Sequence, residues 1–397
     1  MSRPRLSRRA AALAPSSTIA VARASRALAA SGVDVVDFGL GEPDFATPGF
    51  VAEAGADAIR AGRTKYTDVA GDAALRDAIA ARYRAEHGAA YAAENVIVTA
   101  GAKQAVFNAC QALFQEGDRV ALFAPYWVSF PEMIRLAGAE PLVVPTKLDD
   151  GWRPTADAVA RAADDGVRGV ILNSPSNPTG AVASAAELQR LLEWCERRDV
   201  WLLFDETYDR FLYEGSRHVS AAAFPERAGR VVVTGAASKT WAMTGWRLGW
   251  AAGPRDVVAA MASYQSHSTS NASSISQAAV LAALRDPERT EASVADMLAH
   301  YAARRRAMVG ALERVPGVRL RAPEGAFYAF ADVSDLCRRK GLDGSAAFCE
   351  LLLREAHVAA VPGDAFGDDS GVRFSFATPI ERVAEGMRRF AAWAGRQ

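Results

Sequence analysis

Short apolar runs alternate with amphipathic segments through the central part of the chain. The apolar runs read VIVT, VALFAP, PLVVP, GVILNSP, VWLLFDE and VVVTGA. Between them, apolar positions recur at helical spacing from about residue 104, at 130–137, after Pro154 and at 185–198. Such alternation predicts an α/β fold, in which helices cover both faces of a mostly parallel sheet.

Helical spacing also marks the segments before this region. The pattern predicts three helices, at 18–30, 49–61 and 73–87. The N-terminal 32 residues are rich in Arg, Ser and Ala, as a transit peptide would be. We favour a structural role for them, because the helix at 18–30 runs directly into a strand-like segment.

The C-terminal part has a different pattern. A long helical segment past Pro287 extends to about residue 315, and the strands GAFYAFADV and GVRFSFAT follow it with helices between and after. The pattern predicts a large domain at 47–297 and a smaller α+β domain made of 1–46 and 298–397. We expect the basic triplet at 304–306 to lie on a solvated face of the long helix.

Composition narrows the class of protein. The chain has 397 residues, half of them apolar, and 46 basic residues balance 46 acidic ones, which argues against nucleic acid as a partner. No apolar run reaches the roughly 18 residues of a membrane span, so we expect a soluble protein without a membrane partner. Four scattered cysteines and five histidines show no metal-ligand spacing and fit a cytoplasmic location without a metal.

One lysine stands out by its surroundings. Only five of the basic residues are lysines, and Lys239 follows the run VVV and four small residues, 235–238. These small residues would let the backbone pass close to a bulky group, such as a ligand. Arg247 follows eight residues later, and an amine beside an arginine suggests a bound phosphate. The alternative is an ordinary surface lysine on a loop.

Several polar or aromatic residues follow predicted strands within a few positions. In a parallel sheet, the carboxyl ends of the strands form the usual ligand site. The strand at 96–99 also ends in a turn of small residues before a helix, which is a weak signal for an anion site. The residues in question are Gly101, Trp127, Asn177, Asp205 and Lys239.

Each of these residues also has an ordinary structural explanation. Asp205 could cap a helix, and Asn177 before a proline is a frequent turn former. Trp127 could belong to the core, and Tyr208, which lies close to Asp205 in the sequence, could belong to an ordinary helix.

Four motifs, in order, carry a resemblance to a known family. They are NSPSNPTG at 173–180, FDETYD at 204–209, SKTWAMTGWR at 238–247 and VRFSFAT at 372–378. Together they resemble the fold-type I pyridoxal-phosphate enzymes. The segments LGEPDF, TKYTDVAG and PYWVSFPEM are similar to those of class I aminotransferases, in particular the bacterial-type aspartate aminotransferase branch.

The resemblance implies roles around the ring of pyridoxal 5'-phosphate. Lys239 would be the Schiff-base lysine and proton shuttle, and Asp205 would pair with the pyridine nitrogen. Asn177 and Tyr208 would hydrogen-bond the ring oxygen, and Trp127 would stack on the ring. The bonds before Pro125 and Pro178 are expected to be cis, as a hypothesis from the family.

The resemblance also implies a phosphate site. The residues that it assigns to the phosphate are Gly101, Ala102, Lys103, Arg247 and, from a second subunit, Tyr66. Family members often place a further hydroxyl three residues before the lysine, where this chain has Ala236. That contact is then missing or is supplied by Ser238.

For the substrate, the resemblance makes Arg373 the clamp of the α-carboxylate, with Gly41, Trp127 and Asn177 beside it. Three further positions are associated with a distal carboxylate and favour aspartate and glutamate: Lys103, Ser16 and Thr18. Relatives that accept prephenate usually carry a basic residue just before this hydroxyl pair, where this chain has Ala14. We therefore predict little prephenate activity.

The function that follows is a homodimeric, cytoplasmic transaminase that works by a ping-pong mechanism. Aspartate and 2-oxoglutarate are the favoured pair, and aromatic, neutral or biosynthetic amino acids are the alternative substrates. A lyase or decarboxylase on the same cofactor is also possible. Two alternatives from other classes are weaker. A non-catalytic sensor would need a DNA-binding segment, and a nicotinamide dehydrogenase would need a Gly-x-Gly-x-x-Gly turn after the first strand; the sequence shows neither.

Overall fold

The computed structural model describes residues 5–7, 10–11, 13 and 17–396, except for the side chain of Ser17. Most of the helices for which the sequence predicts both ends lie within two residues of those bounds. The α-helices that follow residue 16 are Ser17–Ala30, Gly49–Arg60, Ala73–His87, Ala102–Leu113, Phe130–Leu136, Ala156–Ala162, Ala185–Arg198, Ala237–Thr240, Arg255–Ser266, Ser274–Arg285, Pro287–Leu312, Ser334–Lys340, Gly344–Ala356 and Ile380–Ala394.

A seven-stranded sheet forms the centre of the protein, in the order β2-β8-β7-β6-β5-β3-β4. Only β8 runs in the direction opposite to the other six strands, so the predicted mostly parallel sheet is confirmed. Its strands are β2 (Val96–Thr99), β3 (Arg119–Ala124), β4 (Glu140–Pro145), β5 (Val167–Asn173), β6 (Trp201–Asp205), β7 (Val231–Ala236) and β8 (Gly249–Ala252).

Helices bury both faces of this sheet. Leu202 and Phe204 of β6 belong to one apolar cluster, whereas Leu203 between them belongs to the cluster on the other face. Because successive side chains of a strand point to opposite faces, β6 is apolar without alternation. This burial explains why the central strands read as continuous apolar runs in the sequence.

A second, smaller sheet has the order β12-β13-β10-β9, and all of its strand pairs are antiparallel. The strands are β9 (Arg319–Leu320), β10 (Tyr328–Asp332), β12 (Val361–Pro362) and β13 (Gly371–Ser375). A parallel pair, β1 (Val36–Asp37) with β11 (Val358–Ala359), joins the N-terminal segment to this part of the chain. The pairing supports the predicted division into domains, which stays a prediction.

Two of the three arginines at 304–306 are buried, so the expectation of a solvated basic face is wrong. Arg304 forms an ion pair with Asp44 at 2.7 Å, and Arg305 forms one with Glu214 at 2.7 Å. Carboxylates from distant segments therefore neutralise this inward side of the helix Pro287–Leu312, and only Arg306 is exposed.

Two smaller expectations also need correction. The helix after β2 begins at Ala102, two residues earlier than the sequence predicts. The bulky group that the sequence predicts next to the small residues is, at Gly235, a side chain and not a ligand. It is Trp250 of the adjacent strand, since a Cβ on Gly235 would lie 2.8 Å from the indole. No helix within residues 17–396 is both long and apolar enough to cross a membrane.

Candidate active site

A cavity of about 260 Å³ lies at the carboxyl ends of β5, β6 and β7 and reaches Tyr328 and Arg373 of the smaller sheet. Most residues that the sequence singles out meet there. Its lining residues are Thr18, Gly41, Ala102, Lys103, Trp127, Asn173, Asn177, Asp205, Thr207, Tyr208, Ala236, Ser238, Lys239, Arg247, Tyr328 and Arg373.

Lys239 projects into this cavity from the short helix Ala237–Thr240, which directly follows β7. Its Nζ donates a hydrogen bond to the backbone oxygen of Gly41 at 2.5 Å. The pKa of the amine falls to about 8, mainly because of burial; the charge of Glu42 opposes this shift, and nearby positive charges, led by that of Arg247, add to it. A substantial neutral fraction, and hence a nucleophilic amine, therefore exists near pH 8.

Asp205 ends β6 and is 5% exposed. Its Oδ1 accepts hydrogen bonds from the backbone N and from the Oγ1 of Thr207, at 3.1 and 2.7 Å. Burial is the main reason why the pKa of this carboxyl rises to about 6. Within residues 17–396 no basic side chain forms an ion pair with Asp205, so the carboxylate suits a cationic ligand.

The Asn-Pro turn after β5 is held by the side-chain amide of Asn173. Asn173 donates from Nδ2 to the backbone oxygen of Asp205 at 2.9 Å, and its Oδ1 accepts from the backbone N of Asn177 at 2.7 Å. The bonds before Pro125 and Pro178 are cis, as predicted, and so is the bond before Pro175. Asn173 thus links the turn to the strand that carries the carboxylate.

Arg373 lies on β13 and is 2% exposed, so it is not a surface arginine. Its two terminal nitrogens donate to Asn177 Oδ1 and to the backbone oxygen of Gly39, both at 2.9 Å. The buried Nε has no hydrogen-bond partner among the described residues. A guanidinium held in this way can still bind an anion such as a carboxylate.

On the other side of the cavity, positive charge gathers at the start of the helix Ala102–Leu113. Gly101 has a φ of 85°, and a Cβ there would lie 2.6 Å from Nη2 of Arg247, so only glycine allows this approach. Lys103 lies 4.9 Å from the ring centroid of Trp127, and burial lowers the pKa of its amine. Free N–H groups and two cations make this side suitable for a phosphate.

Two of the predicted residues that the structure describes do not line the cavity. Gly101 lies behind the lining and touches Arg247. Tyr66 is 89% exposed. Ser16, together with Ala14, lies outside the described residues.

Sequence reasoning missed three polar residues of the cavity, namely Asn173, Thr207 and Tyr328. Asn173 and Thr207 belong to the motifs at 173–180 and 204–209, which also contain predicted site residues. Membership of these motifs could therefore have identified both as site residues. Tyr328 lies in the predicted strand GAFYAFADV, where an aromatic residue is expected in the core.

Three comparisons relate the chain to known proteins. The family model described as aminotransferase class I and II matches residues 33–390. A probable aspartate/prephenate aminotransferase from Aquifex aeolicus is 40% identical over 97% of both chains. The structure of an aspartate aminotransferase from Thermus thermophilus with maleate has a TM-score of 0.93 and 39% identity, and the match covers 98% of this chain and 100% of that one.

Proposed function

The chain belongs to the class I and II aminotransferase family, and from this premise we propose that it transfers the amino group of aspartate to 2-oxoglutarate. Members of the family are pyridoxal-phosphate-dependent transaminases, so this protein is one. Aspartate is taken from the names of its relatives, and 2-oxoglutarate is the acceptor that the resemblance favours. Membership of this family also excludes the two alternatives from other classes, a nicotinamide dehydrogenase and a non-catalytic sensor.

The residues of the cavity fit this cofactor. A buried amine of lowered pKa and a buried carboxylate without a basic partner face the same space, as do Arg247 and the start of a helix. These features match an aldehyde, a pyridinium and a phosphate. The observation that carries the proposal is that Lys239 and Asp205 share one cavity.

When bound, the cofactor supplies an aldehyde that condenses with amines and a ring that accepts electrons. Lys239 would bind that aldehyde and, once a substrate amine has released it, would move the proton between the substrate Cα and the cofactor carbon. Its neutral form is available because burial has lowered its pKa to about 8. Asp205 keeps the ring nitrogen protonated, since its negative charge stabilises the adjacent positive one.

The other residues bind and orient the cofactor. Tyr208 and Asn177 would hydrogen-bond the ring oxygen, and Trp127 would stack on the ring. The phosphate site draws on hydrogen bonds, positive charge and a helix start. Its residues are Gly101, Ala102, Lys103, Arg247 and Ser238, the last in place of a hydroxyl at Ala236.

Arg373 clamps the substrate α-carboxylate in our proposal, because this arginine lines the cavity. Gly41 contacts the substrate through its backbone. Lys103 binds the distal carboxylate together with Thr18, which lies in the cavity wall. Ser16 completes this set in the proposal. Ala14 still predicts little prephenate activity, although two relatives at 40 and 41% identity are named probable aspartate/prephenate aminotransferases.

We also propose a homodimer with shared active sites and a cytoplasmic location. Tyr66 is exposed on a single chain, which supports its donation to the phosphate site of a second subunit. A large aromatic residue exposed to this degree is a frequent feature of contact surfaces.

The lowered pKa of Lys239 leads to a prediction for the protein freed of its cofactor. The rate at which it captures added pyridoxal phosphate should rise about tenfold per pH unit below pH 8 and level off above it, because only the neutral amine attacks. Stopped-flow absorbance with excess cofactor measures this rate. A rate that keeps rising to pH 10 would show that the amine has the pKa of an exposed lysine.

The proposed reaction is tested by absorbance of the holoenzyme. Aspartate should shift the visible band of the bound cofactor, and 2-oxoglutarate should restore it. A band that responds to an aromatic or neutral amino acid but not to aspartate would overturn the proposed donor and keep the class of enzyme. Comparable efficiency with prephenate and oxaloacetate would contradict the prediction from Ala14.

A further inference from the structure

Tyr328 contacts two residues of the site at once, and the proposed reaction assigns it no role. Its hydroxyl oxygen lies 2.9 Å from that of Tyr208, and its ring centroid lies 4.4 Å from the guanidinium carbon of Arg373. The side chain is 1% exposed and lines the cavity. Tyr328 therefore connects the carboxylate clamp with the hydroxyl that faces the cofactor.

The position of Tyr328 is tightly determined. It pairs with Ser375 in the register of β10 and β13, and its ring packs edge-on against Tyr208 at 78°. A Cβ on Gly41 would lie 3.2 Å from its hydroxyl oxygen, so the loop that accepts the Lys239 hydrogen bond runs close to it. The hydroxyl has little freedom to turn away from Tyr208.

The direction of the hydrogen bond between the two tyrosines follows from the proton count. Each hydroxyl carries a single proton, because burial raises the pKa of both Tyr208 and Tyr328 and keeps them neutral. Neither hydroxyl has another hydrogen-bond partner within residues 17–396. If Tyr208 gives its proton to a ligand, the proton between the two oxygens must come from Tyr328.

We propose that Tyr328 is a positioning residue: it donates its hydroxyl proton to Tyr208, directs the Tyr208 proton at the cofactor's ring oxygen, and supports Arg373 with its ring. This inference rests on the proposed function of Tyr208. A donated hydrogen bond also polarises the acceptor hydroxyl and makes it a better donor in turn. Tyr328 thereby strengthens the hydrogen bond that Tyr208 makes to the cofactor.

The readout is the pH midpoint at which the visible band of the holoenzyme changes form. Donation from Tyr208 stabilises negative charge on the ring oxygen, which is greatest when the Lys239 nitrogen is unprotonated, and so lowers this midpoint. Tyr328→Phe removes the hydroxyl and keeps the ring. It should raise the midpoint by roughly half to one pH unit, the size of one neutral hydrogen bond, and change maleate affinity less than about twofold.

Phe366 offers a matched control, since its ring centroid lies 5.1 Å from the guanidinium carbon of Arg373. Phe366→Leu should weaken maleate binding and leave the midpoint unchanged, because it has no contact with Tyr208. Tyr328→Leu should produce both effects. These different outcomes separate a hydrogen-bonding role of Tyr328 from a general disturbance of packing. A general disturbance would change the midpoint and maleate affinity in the same way in all three variants.

Tyr208→Phe separates this inference from the function on which it rests. The expected shift for that variant has the same sign as for Tyr328→Phe and is at least as large. A shift with Tyr208→Phe but none with Tyr328→Phe would overturn the role of Tyr328 alone. No shift with Tyr208→Phe would show that Tyr208 does not contact the ring oxygen and would overturn the underlying assignment as well.

Discussion

Replacing Lys239 by alanine is expected to lower kcat by about four orders of magnitude or more. The variant loses the covalent link to the cofactor and also the group that moves the proton, and general base catalysis alone contributes about 10²–10⁴. No neighbour can substitute: Lys103, the other lysine of the cavity, lies beside Trp127 on the phosphate side. The measurement is steady-state transamination of aspartate with saturating cofactor.

A matched control is Lys147→Ala, which removes an exposed lysine outside the cavity. It should retain wild-type kcat within about twofold, since surface substitutions away from a site have small effects. If the Lys239 variant turned over within tenfold of the wild type, another base would have to carry the reaction, and the assignment of Lys239 would be wrong.

Replacing Asp205 by asparagine should lower kcat by about 10²–10⁴, which corresponds to the roughly 3–5 kcal/mol lost when one partner of a buried ion pair is removed. Asparagine keeps the shape of the side chain but cannot hold the ring nitrogen in its protonated form. The same assay measures this loss. An asparagine variant with unchanged kcat would contradict the proposed pairing.

The same substitution should stabilise the protein when the cofactor is removed. Burial raises the pKa of Asp205 to about 6, above its value in the unfolded chain, so stability that is present below about pH 4 is lost as the pH rises through 6. At pH 7.5 the ionised carboxylate thus destabilises the cofactor-free protein by roughly 2–3 kcal/mol, since each pKa unit corresponds to 1.36 kcal/mol. In urea unfolding at pH 7.5, the cofactor-free Asp205→Asn variant should have a higher free energy of unfolding than the cofactor-free wild type.

Asp209 provides the control of opposite sign. Burial alone would raise the pKa of this carboxyl, but Arg82 and Arg210 lower it overall, and Arg82 lies 2.5 Å away. Its ionised form therefore stabilises the fold above the unfolded pKa, and Asp209→Asn should be destabilising at pH 7.5. If both asparagine variants were destabilised, Asp205 would be an ordinary structural carboxylate.

The sequence was sufficient to predict the sheet and most of the site because both depend on local patterns. The strands of the central sheet are buried on both faces and read as apolar runs, and parallel strands place their carboxyl ends at one edge. Asp205 and Lys239 could therefore be placed together from the strands they follow. Asn177 and Arg247 also followed from their positions next to these strands. The motifs then added Tyr208 and Arg373.

The remaining residues depend on contacts between distant segments, which a single sequence does not reveal. Tyr328 reaches Tyr208 only because β10 and β13 of the smaller sheet bring it beside Arg373. Arg304 and Arg305 belong to a basic triplet that the sequence predicts to be solvated. They are instead neutralised by Asp44 and Glu214, which lie 260 and 91 residues away along the chain. In both cases, the position of a partner far along the chain decides the environment.

Lys239 is the residue on which the proposed reaction depends, because it binds the cofactor. Reduction of the holoenzyme with borohydride, followed by digestion and mass spectrometry, tests this most directly, because it makes the link permanent and identifies its position. We expect the added cofactor mass on the peptide that contains Lys239 and on no other lysine peptide. The same mass on a peptide with Lys103, or no modified peptide from a protein that shows the visible band, would contradict the claim.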